Sequence, residues 1–542
     1  VADEHYYFKN LSVQNGLSQN TVNTILQDKQ GFMWFGTKDG LNRYDGLSFR
    51  KFKHDDRSQR SIGNNFITAL YEDEKGHIWV GTDVGLYIYY PEKDFFEHFT
   101  ELSAENTKIE HTVTAISGDN QGCVWVAVES QGLFCYELEK EKLRNYTLEN
   151  FSFLTTNVQT FVFDNSGTLW IGCYGDGLFY SKDRLKTLHP YRSPIDNKET
   201  YANDVVISLA KGAYNCLYVG SLKGGVKELN LTSNKLHDLL LADENGESVF
   251  CRELLMASDN ELWIGAESGL YIYNLRLGKF VHLRSSINDP YSLSDNAIYS
   301  LCKDREGGIW IGSYFGGVNY YPRFYTNFEK YYPKGTDNGL HGKRVREFCQ
   351  DNQGILWIGT EDGGLNRFNP RFNPKTKTFS FFTPSNAFTN VHGLCLIGDH
   401  LWVGTFSKGV KVVDTHTGAI VKTYRKTDSP RSLIDNSVFS ICCTTTGDIY
   451  LGTLFGLLRY NEQSDDFDRI PELNGRFVYD IKEDSSGNLW LATYANGAYC
   501  YNVSEKKWKN YLHDESNPKS LPYDKVVSVF EDSHRQGWVS TP

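Results

Sequence analysis

A short pattern recurs from one end of the chain to the other. It is written GFMWFGTKDGLNRYDG near the start, returns as GHIWVGTDVGLYIYY and GGIWIGSYFGGVNYY, and continues to the C-terminus. Its central aromatic residue returns every 40 to 48 residues, at Trp34, Trp79, Trp125, Trp170, Tyr218, Trp263, Trp310, Trp357, Trp402, Tyr450, Trp490 and Trp538. A repeat of this length with strand-like content is typical of β-propeller blades. We therefore predict an all-β fold of tandem β-propellers.

Each repeat reads as four strands separated by tight turns. Up-and-down strand order places the start of the first strand and the Thr-x-x-Gly turn on one face, and the Asp-x-x-Gly turn on the other. Aspartates such as Asp28, Asp73 and Asp304 recur once per repeat. Because aspartate readily hydrogen-bonds its own turn, we expect these carboxylates to hold turns rather than perform chemistry.

The phase of the repeats predicts where the rings begin and end. The opening HYYFKNLSVQNGLSQNTVNTI has a counterpart in NFEKYYPKGTDNGLHGKRVREF, which follows the seventh repeat. We therefore predict a first seven-bladed propeller over residues 1–323, closed by a strand at Tyr6 to Phe8 that pairs with the blade of Trp310. Residues 324–542 are expected to form a second propeller that is incomplete, with five repeats, since a seven-bladed ring would need about 90 more residues.

Composition restricts the function classes. The net charge of −11 argues against nucleic-acid binding, for which a basic stripe is expected. No apolar run approaches the ~20 residues of a membrane span, so this stretch is expected to be soluble, with any signal peptide absent or already removed.

Enzyme motifs are missing from the sequence. It contains no H-E-x-x-H, G-x-S-x-G, P-loop or EF-hand pattern. The turn Asp164-Asn165-Ser166-Gly167 has two residues between Asp and Gly, where the Asp-box of propeller sialidases has one. We predict no catalytic residue, no metal site and no cofactor.

The repeats also carry a family resemblance. The units GFMWFGTKDGLNRYDG, GTLWIGCYGDGLFY and GILWIGTEDGGLNRFN resemble two-component regulator propeller repeats. Tandem rings of such repeats are similar to the periplasmic sensor region of Bacteroides-type hybrid two-component systems. The resemblance implies a sensor of polysaccharide breakdown products that controls genes for polysaccharide use. It also implies a membrane span and a histidine kinase beyond this stretch, and a homodimer in the full-length protein.

Two groups of residues break the repeat and are candidates for ligand binding. Aromatic residues occupy Thr-x-x-Gly turns where other repeats have small or charged residues, at Tyr174, Tyr314, Phe315, Phe406, Phe455 and Tyr494. Such rings suit stacking on pyranoses, although packing across the ring mouth explains them as well. Basic residues lie near the starts of first strands, at Lys343, Arg344, Arg346 and Arg476. Arginine forks suit a carboxylate or sulfate, although a solvated basic patch is the alternative.

These observations favour a periplasmic oligosaccharide-sensing domain without enzymatic activity of its own. The ligand site is predicted at Tyr314, Phe315, Lys343, Arg344, Arg346, Phe406, Phe455, Arg476 and Tyr494. The alternative is a propeller scaffold for protein interaction without a small ligand. A carbohydrate-active enzyme is a third reading, disfavoured by the missing motifs. No direct contact with nucleic acid is expected.

Overall fold

Two compact units, Val1–Glu329 and Lys330–Pro542, divide the chain. The computed structural model describes residues 6–102, 108–146, 157–194, 197–198, 200–201, 203–322, 328–335, 339–369, 379–381 and 388–542. The predicted boundary between residues 323 and 324 lies outside the described residues. The two units are described separately below.

The first unit consists of four-stranded antiparallel sheets that follow one another along the chain. Sheet 1 contains Val22–Gln27, Met33–Thr37, Gly40–Tyr44 and Phe49–Phe52; sheet 2 contains Ile67–Glu72, Ile78–Thr82, Leu86–Tyr90 and Phe95–His98. Sheet 3 contains Val113–Gly118, Cys123–Val128, Gly132–Glu137 and Lys142–Tyr146; sheet 4 contains Val158–Phe163, Leu169–Cys173, Gly177–Ser181 and His189–Pro190. Sheet 5 contains Val206–Lys211, Cys216–Ser221, Gly225–Asn230 and Lys235–Leu240; sheet 6 contains Cys251–Ser258, Glu261–Ala266, Gly269–Asn274 and Lys279–Leu283. Sheet 7 contains Ile298–Lys303, Ile309–Ser313 and Val318–Tyr321, with Lys9–Leu11 as its fourth strand.

The strand from the N-terminus joins the last sheet of the first unit. Lys9–Leu11 pairs antiparallel with Val318–Tyr321, in the sheet that carries Trp310. The predicted span of this strand, Tyr6 to Phe8, is therefore wrong by three residues. Phe8 instead packs as a buried side chain in the core between sheets 6 and 7.

Sheet 7 also contacts sheet 1, at the opposite end of the unit in sequence. The Ser300 hydroxyl donates to the Val22 carbonyl over 2.9 Å. The Arg305 guanidinium donates to the Asp28 carbonyl over 2.8 Å. These contacts bring the first and last sheets of the unit side by side, as a propeller ring requires.

The second unit repeats the same sheet. Sheet 8 contains Val345–Gln350, Leu356–Thr360, Gly364–Phe368 and Phe379–Phe381; sheet 9 contains Val391–Ile397, His400–Thr405, Val410–Asp414 and Ile420–Tyr424. Sheet 10 contains Val438–Cys443, Ile449–Thr453, Gly456–Asn461 and Asp466–Arg469; sheet 11 contains Val478–Glu483, Leu489–Thr493, Ala498–Asn502 and Lys507–Tyr511. Sheet 12 contains Ser528–Glu531 and Gly537–Ser540.

Helical structure is confined to short segments among the described residues. They are the α-helix Phe99–Leu102 and the 3-10 helices Val13–Asn15 and Pro471–Leu473. The described structure is thus dominated by sheets, and the predicted all-β propeller fold is confirmed.

The repeated tryptophan and aspartate form one linked element. In sheet 7, Asp304 Oδ1 accepts the backbone N–H groups of Glu306 and Gly308, and Oδ2 accepts the Trp310 indole N–H over 3.0 Å. The same indole-to-carboxylate bond occurs at Trp34, Trp79, Trp125, Trp170, Trp357, Trp490 and Trp538. The expectation that these aspartates hold turns is confirmed.

Hydrophobic cores lie between neighbouring sheets. Trp34 and Phe52 of sheet 1 pack against Ile78 and Tyr89 of sheet 2, for example. The period of two along each strand directs one set of side chains to each neighbouring sheet. Burial between sheets therefore supplies the main apolar stabilisation of each unit.

Candidate functional site

In sheets 1 to 11 the first strand begins with a β-bulge at its second residue. In sheet 1, Val22 pairs with Thr37 and Thr24 with Gly36, which leaves Asn23 without a partner in the ladder. The same register shift occurs at the start of the first strand in sheets 2 to 11. A bulge re-aims the side chain of its extra residue. We call the unpaired residue the bulge residue.

In the early sheets the bulge residue links one sheet to the next. The side chains of Asn23, Thr68 and Thr114 donate to the carbonyls at the start of the following first strand, over 2.9, 2.6 and 2.7 Å. These small polar side chains connect neighbouring sheets at the starts of their first strands. Bulge residues of another chemical type therefore stand out.

In the second unit the bulge residues are large and form a connected cluster. They are Arg346, His392, Phe439 and Tyr479. The His392 and Phe439 rings lie 4.6 Å apart, and Phe439 stacks on Tyr479 at 5.8 Å. The Arg346 guanidinium lies 4.6 Å from the centre of the Tyr479 ring, in a cation–π contact.

Two aromatic residues of the Thr-x-x-Gly turns join this cluster. The ring centres of Phe406 and Phe439 lie 6.1 Å apart. Tyr494 stacks on Phe477, the residue before the first strand of sheet 11, with ring centres 5.4 Å apart. The backbone N–H of Phe406 donates to the Asn390 carbonyl, and that of Tyr494 to the Phe477 carbonyl. These bonds hold the turns beside the first-strand starts, on what we call the upper face. Phe406 and Tyr494 are each 43% exposed, so both rings present surface to solvent.

We call this group the second-unit cluster; it consists of Arg346, His392, Phe406, Phe439, Phe477, Tyr479 and Tyr494. Positively charged side chains lie beside it. Lys525 Nζ lies 4.4 Å from the Tyr494 ring centre. Arg346 Nη1 lies 3.5 Å from Glu361 Oε1, and Arg344 Nη1 lies 4.0 Å from the other oxygen of the same carboxylate. One carboxylate is thus shared by two guanidinium groups.

His392 is the buried polar member of the second-unit cluster. Only 6% of its surface is exposed, and Nδ1 has no hydrogen-bond partner among the described residues. Burial, assisted by the positive charge of Arg346, lowers the pKa of the imidazole to about 4. The ring is therefore neutral at physiological pH and keeps unused hydrogen-bonding capacity.

The remaining predicted residues of the second unit lie around the edge of this surface. Lys343 and Arg344 are exposed, and their backbone N–H groups donate to the Asp362 carboxylate. Phe455 is 51% exposed in the corresponding turn of sheet 10. Arg476 is half-buried directly before Phe477.

The predicted aromatic residues of the first unit form a separate group. Tyr314 lies 4.5 Å from Phe315, edge to face, and 5.0 Å from Tyr299, the bulge residue of sheet 7. Phe315 is 73% exposed. Tyr174 is 56% exposed in the equivalent turn of sheet 4. The predicted site residues are therefore divided between the two units.

The sequence analysis did not identify the bulge residues Arg252, Tyr299, His392, Phe439 and Tyr479, nor Phe477 and Lys525. A signal was present in the sequence, because most bulge residues follow by three positions a polar residue that precedes the first strand, as Tyr299 follows Asn296 and Phe439 follows Asn436. Aromatic or basic residues replace Asn or Thr at that position. The β-bulge, which re-aims the side chain at this position, is visible only in the strand register.

One group of residues has the donor types of a metal site. The ligand atoms of Asp243, Glu244 and His282 lie within 4.8 Å of one another. His282 Nδ1 lies 2.8 Å from Glu244, Nε2 lies 2.9 Å from the Ser268 carbonyl, and Arg284 donates to Asp243. These atoms already have partners within the protein, and the group is an ion-pair network.

Comparison with known proteins agrees with this architecture. Five segments, residues 16–39, 61–84, 292–315, 339–362 and 472–495, match the family described as two component regulator propeller. These five segments of the β-propeller fold are therefore similar to two-component regulator propeller repeats.

Its relatives include proteins of signal transduction. The chain is 26% identical to histidine kinase P4 of Formosa agariphila over 99% of its own length, and it spans 43% of that protein. It is similar in structure to the extracellular domain of the putative hybrid two component system BT3049 from B. thetaiotaomicron, with a TM-score of 0.59 and 22% identity, over 99% of this chain and 82% of the other. The extracellular domain of BT4673 from the same organism gives 0.51 and 18%, over 99% and 76%.

The described residues contain no helix that is both long and apolar enough to span a bilayer.

Proposed function

We propose that this chain is the periplasmic sensor region of a hybrid two-component system and that it binds an oligosaccharide from polysaccharide breakdown. The similarity to a histidine kinase along 99% of the chain supports the sensor role. The second-unit cluster supports the ligand class. The kinase, the membrane anchor and the homodimer belong to this proposal for the whole protein.

One observation carries the ligand proposal: on the upper face of the second unit, partly exposed aromatic rings of the Thr-x-x-Gly turns lie beside a cluster of large aromatic and basic bulge residues. Tyr494 and Phe406 each offer a partly exposed ring, which suits stacking on the apolar face of a pyranose. Arg344 and Arg346 offer guanidinium groups beside these rings, next to the carboxylates of Glu361 and Asp362. Guanidinium forks suit a sugar that carries a carboxylate or sulfate.

Isothermal titration against acidic and neutral oligosaccharides tests the proposal, with Phe406→Ala and Tyr494→Ala as site variants. Each lost stacking contact should weaken binding by about ten-fold, equivalent to about 1.4 kcal/mol. Phe348→Ala is the matched control, because this ring is 65% exposed on the first strand of sheet 8 and has no contact with the cluster among the described residues.

Unchanged affinity in both site variants, for an oligosaccharide that binds the intact chain, would exclude this surface as the ligand site. No binding by any acidic or neutral oligosaccharide would favour the alternative of a protein-interaction scaffold.

A further inference from the structure

The first unit contains the same combination of charged and aromatic groups as the second. In sheet 6, the bulge residue Arg252 pairs with Glu267 of the adjacent turn, Nε to Oε1, over 2.6 Å. In sheet 8, the bulge residue Arg346 pairs with Glu361 of the adjacent turn. Both pairs thus join the bulge position of a sheet to the Thr-x-x-Gly turn position of the same sheet.

Each of these arginines also lies over the ring of a bulge-residue tyrosine. The Arg252 guanidinium is 4.8 Å from the Tyr299 ring centre, and Arg346 is 4.6 Å from Tyr479. Tyr299 belongs to the sheet that follows Arg252, whereas Tyr479 belongs to a sheet three further along from Arg346. The chemical combination therefore recurs, although the sheets that supply it differ.

Each arrangement also contains a second tyrosine, which lies in the turn after a second strand. Tyr314 follows the second strand of sheet 7 and lies 5.0 Å from Tyr299; Tyr494 follows the second strand of sheet 11 and lies 6.5 Å from Tyr479. A lysine approaches each turn tyrosine, although the two lysines occupy different positions: Lys38 lies in the turn after the second strand of sheet 1, and Lys525 precedes the first strand of sheet 12. Lys38 Nζ is 5.9 Å from the Tyr314 ring, and Lys525 Nζ is 4.4 Å from the Tyr494 ring.

The two arrangements differ in how open they are. In the first unit, the neighbouring bulge residues Asn23, Thr68 and Thr114 are small and point their polar atoms at the next sheet. In the second unit, His392 and Phe439 fill the corresponding positions and are buried. Phe315 accordingly presents 73% of its surface, much more than Tyr494 or Phe406.

We infer that the first unit has its own oligosaccharide site, formed by Lys38, Arg252, Tyr299, Tyr314 and Phe315, so that the chain binds acidic sugars at two places. Phe315 supplies the exposed stacking face, and Tyr314 supports it edge-on. Arg252 and Lys38 supply the cationic groups for a sugar carboxylate. Two carboxylates lie beside them, since Glu267 pairs with Arg252 and Asp295 accepts the backbone N–H of Phe315 over 2.8 Å. All five residues of the site belong to the first unit.

This inference rests on the proposed function, and its test separates the two. Tetragalacturonate, a chain of pyranoses with a carboxylate on each, is titrated into the intact 542-residue chain by calorimetry. We expect two sites per chain. Phe315→Ala should weaken one of them by about ten-fold or more, and Tyr494→Ala should weaken the other by a similar factor.

Tyr214→Ala is the matched control in the first unit. Tyr214 is 82% exposed in a turn between the first and second strands of sheet 5, on the face opposite the proposed site. Its replacement should change neither site. Near-ultraviolet circular dichroism of each variant shows whether the fold is intact.

One site per chain, sensitive to Tyr494→Ala and insensitive to both Phe315→Ala and Arg252→Ala, would overturn the inference and leave the proposed function standing. Absence of binding to the intact chain at millimolar tetragalacturonate would overturn the inference, whereas the proposed function is overturned only if the acidic and neutral oligosaccharides of the titration above also fail to bind. Two sites that are both insensitive to Phe315→Ala would also contradict the first-unit site.

Discussion

At the scale of single residues, the aspartate six positions before eight of the repeat tryptophans explains the persistence of the repeat. One carboxylate oxygen closes the turn and the other binds the indole N–H, so turn and core are joined by a single side chain. In sheet 6 the indole N–H has a different acceptor, because Trp263 donates to Glu261. A buried indole N–H needs an acceptor, whichever residue supplies it.

Replacing Asp304 by alanine should destabilise the first unit. The change leaves the buried Trp310 indole and two turn N–H groups without their acceptor, at a cost of roughly 2 to 4 kcal/mol. Thermal unfolding measures the loss. Asp259→Ala is the control, because Asp259 is exposed in the equivalent turn of sheet 6 and does not receive the tryptophan bond. Equal melting of both variants would refute the role of Asp304.

Glu253, next to the bulge residue of sheet 6, predicts a pH dependence. Burial raises the pKa of its carboxyl group to about 7, although the Ser208 hydroxyl donates to it. A raised folded-state pKa gives stability that is complete below the ordinary value near 4.5 and is lost as pH rises through 7. Glu253→Gln should therefore lose less melting temperature than the unmodified protein between pH 5 and pH 8. Parallel pH profiles for the two proteins would contradict this.

At the scale of elements, the N-terminal strand completes sheet 7. Lys9–Leu11 covers the edge of Val318–Tyr321, and Leu11 and Phe8 are buried in neighbouring cores. An uncovered strand edge also exposes unpaired backbone groups to other chains. The strand therefore contributes both apolar burial and edge protection.

Deleting residues 1–11 should lower the melting temperature of the first unit and increase aggregation. Loss of two buried apolar side chains costs roughly 3 to 6 kcal/mol, before the strand pairing is counted. Deletion of residues 1–5 alone is the control and should change little. Calorimetry and light scattering measure the two effects. A deletion through Leu11 that melts like the control would show that this strand does not support the sheet.

The bulge is the element that makes the upper face chemically variable. It frees one residue per first strand from the ladder without disturbing the buried positions on either side. That residue is Asn23 in sheet 1 and Phe439 in sheet 10. The same bulge position thus carries a polar side chain that links two sheets in one case and an aromatic ring in the other.

At the scale of the whole molecule, the two units differ in how their first sheets are covered. Val22, the first residue of sheet 1, is fully buried, whereas its equivalent in sheet 8, Val345, is 39% exposed. Phe161 of sheet 4 and Phe348 of sheet 8 occupy the same repeat position, and they are 6% and 65% exposed. The same side chain is therefore core in one unit and surface in the other.

Phe161 and Phe348 allow a direct test of this difference in burial between the two units. Phe161→Ala should cost about 3 to 5 kcal/mol, the usual loss for a buried phenylalanine. Phe348→Ala should cost less than about 1 kcal/mol, because its ring is already in contact with water. Chemical denaturation followed by tryptophan fluorescence measures both. Similar losses in the two variants would show that the face of sheet 8 is covered in solution.

The sequence alone determined the repeat, its four-strand content and the role of the turn aspartates. These features depend on local periodicity and turn chemistry, which neighbouring residues specify. The pairing partner of the N-terminal strand also followed from repeat phase, but its register did not: Tyr6 to Phe8 was predicted and Lys9–Leu11 pairs. Register depends on which side chains the neighbouring sheets can bury.

Only the tertiary structure identified the bulge residues as a group. His392, Phe439 and Tyr479 lie in separate repeats, and the repeat position alone does not show that their side chains meet. They meet because one sheet after another presents its bulge residue at the same ring entrance.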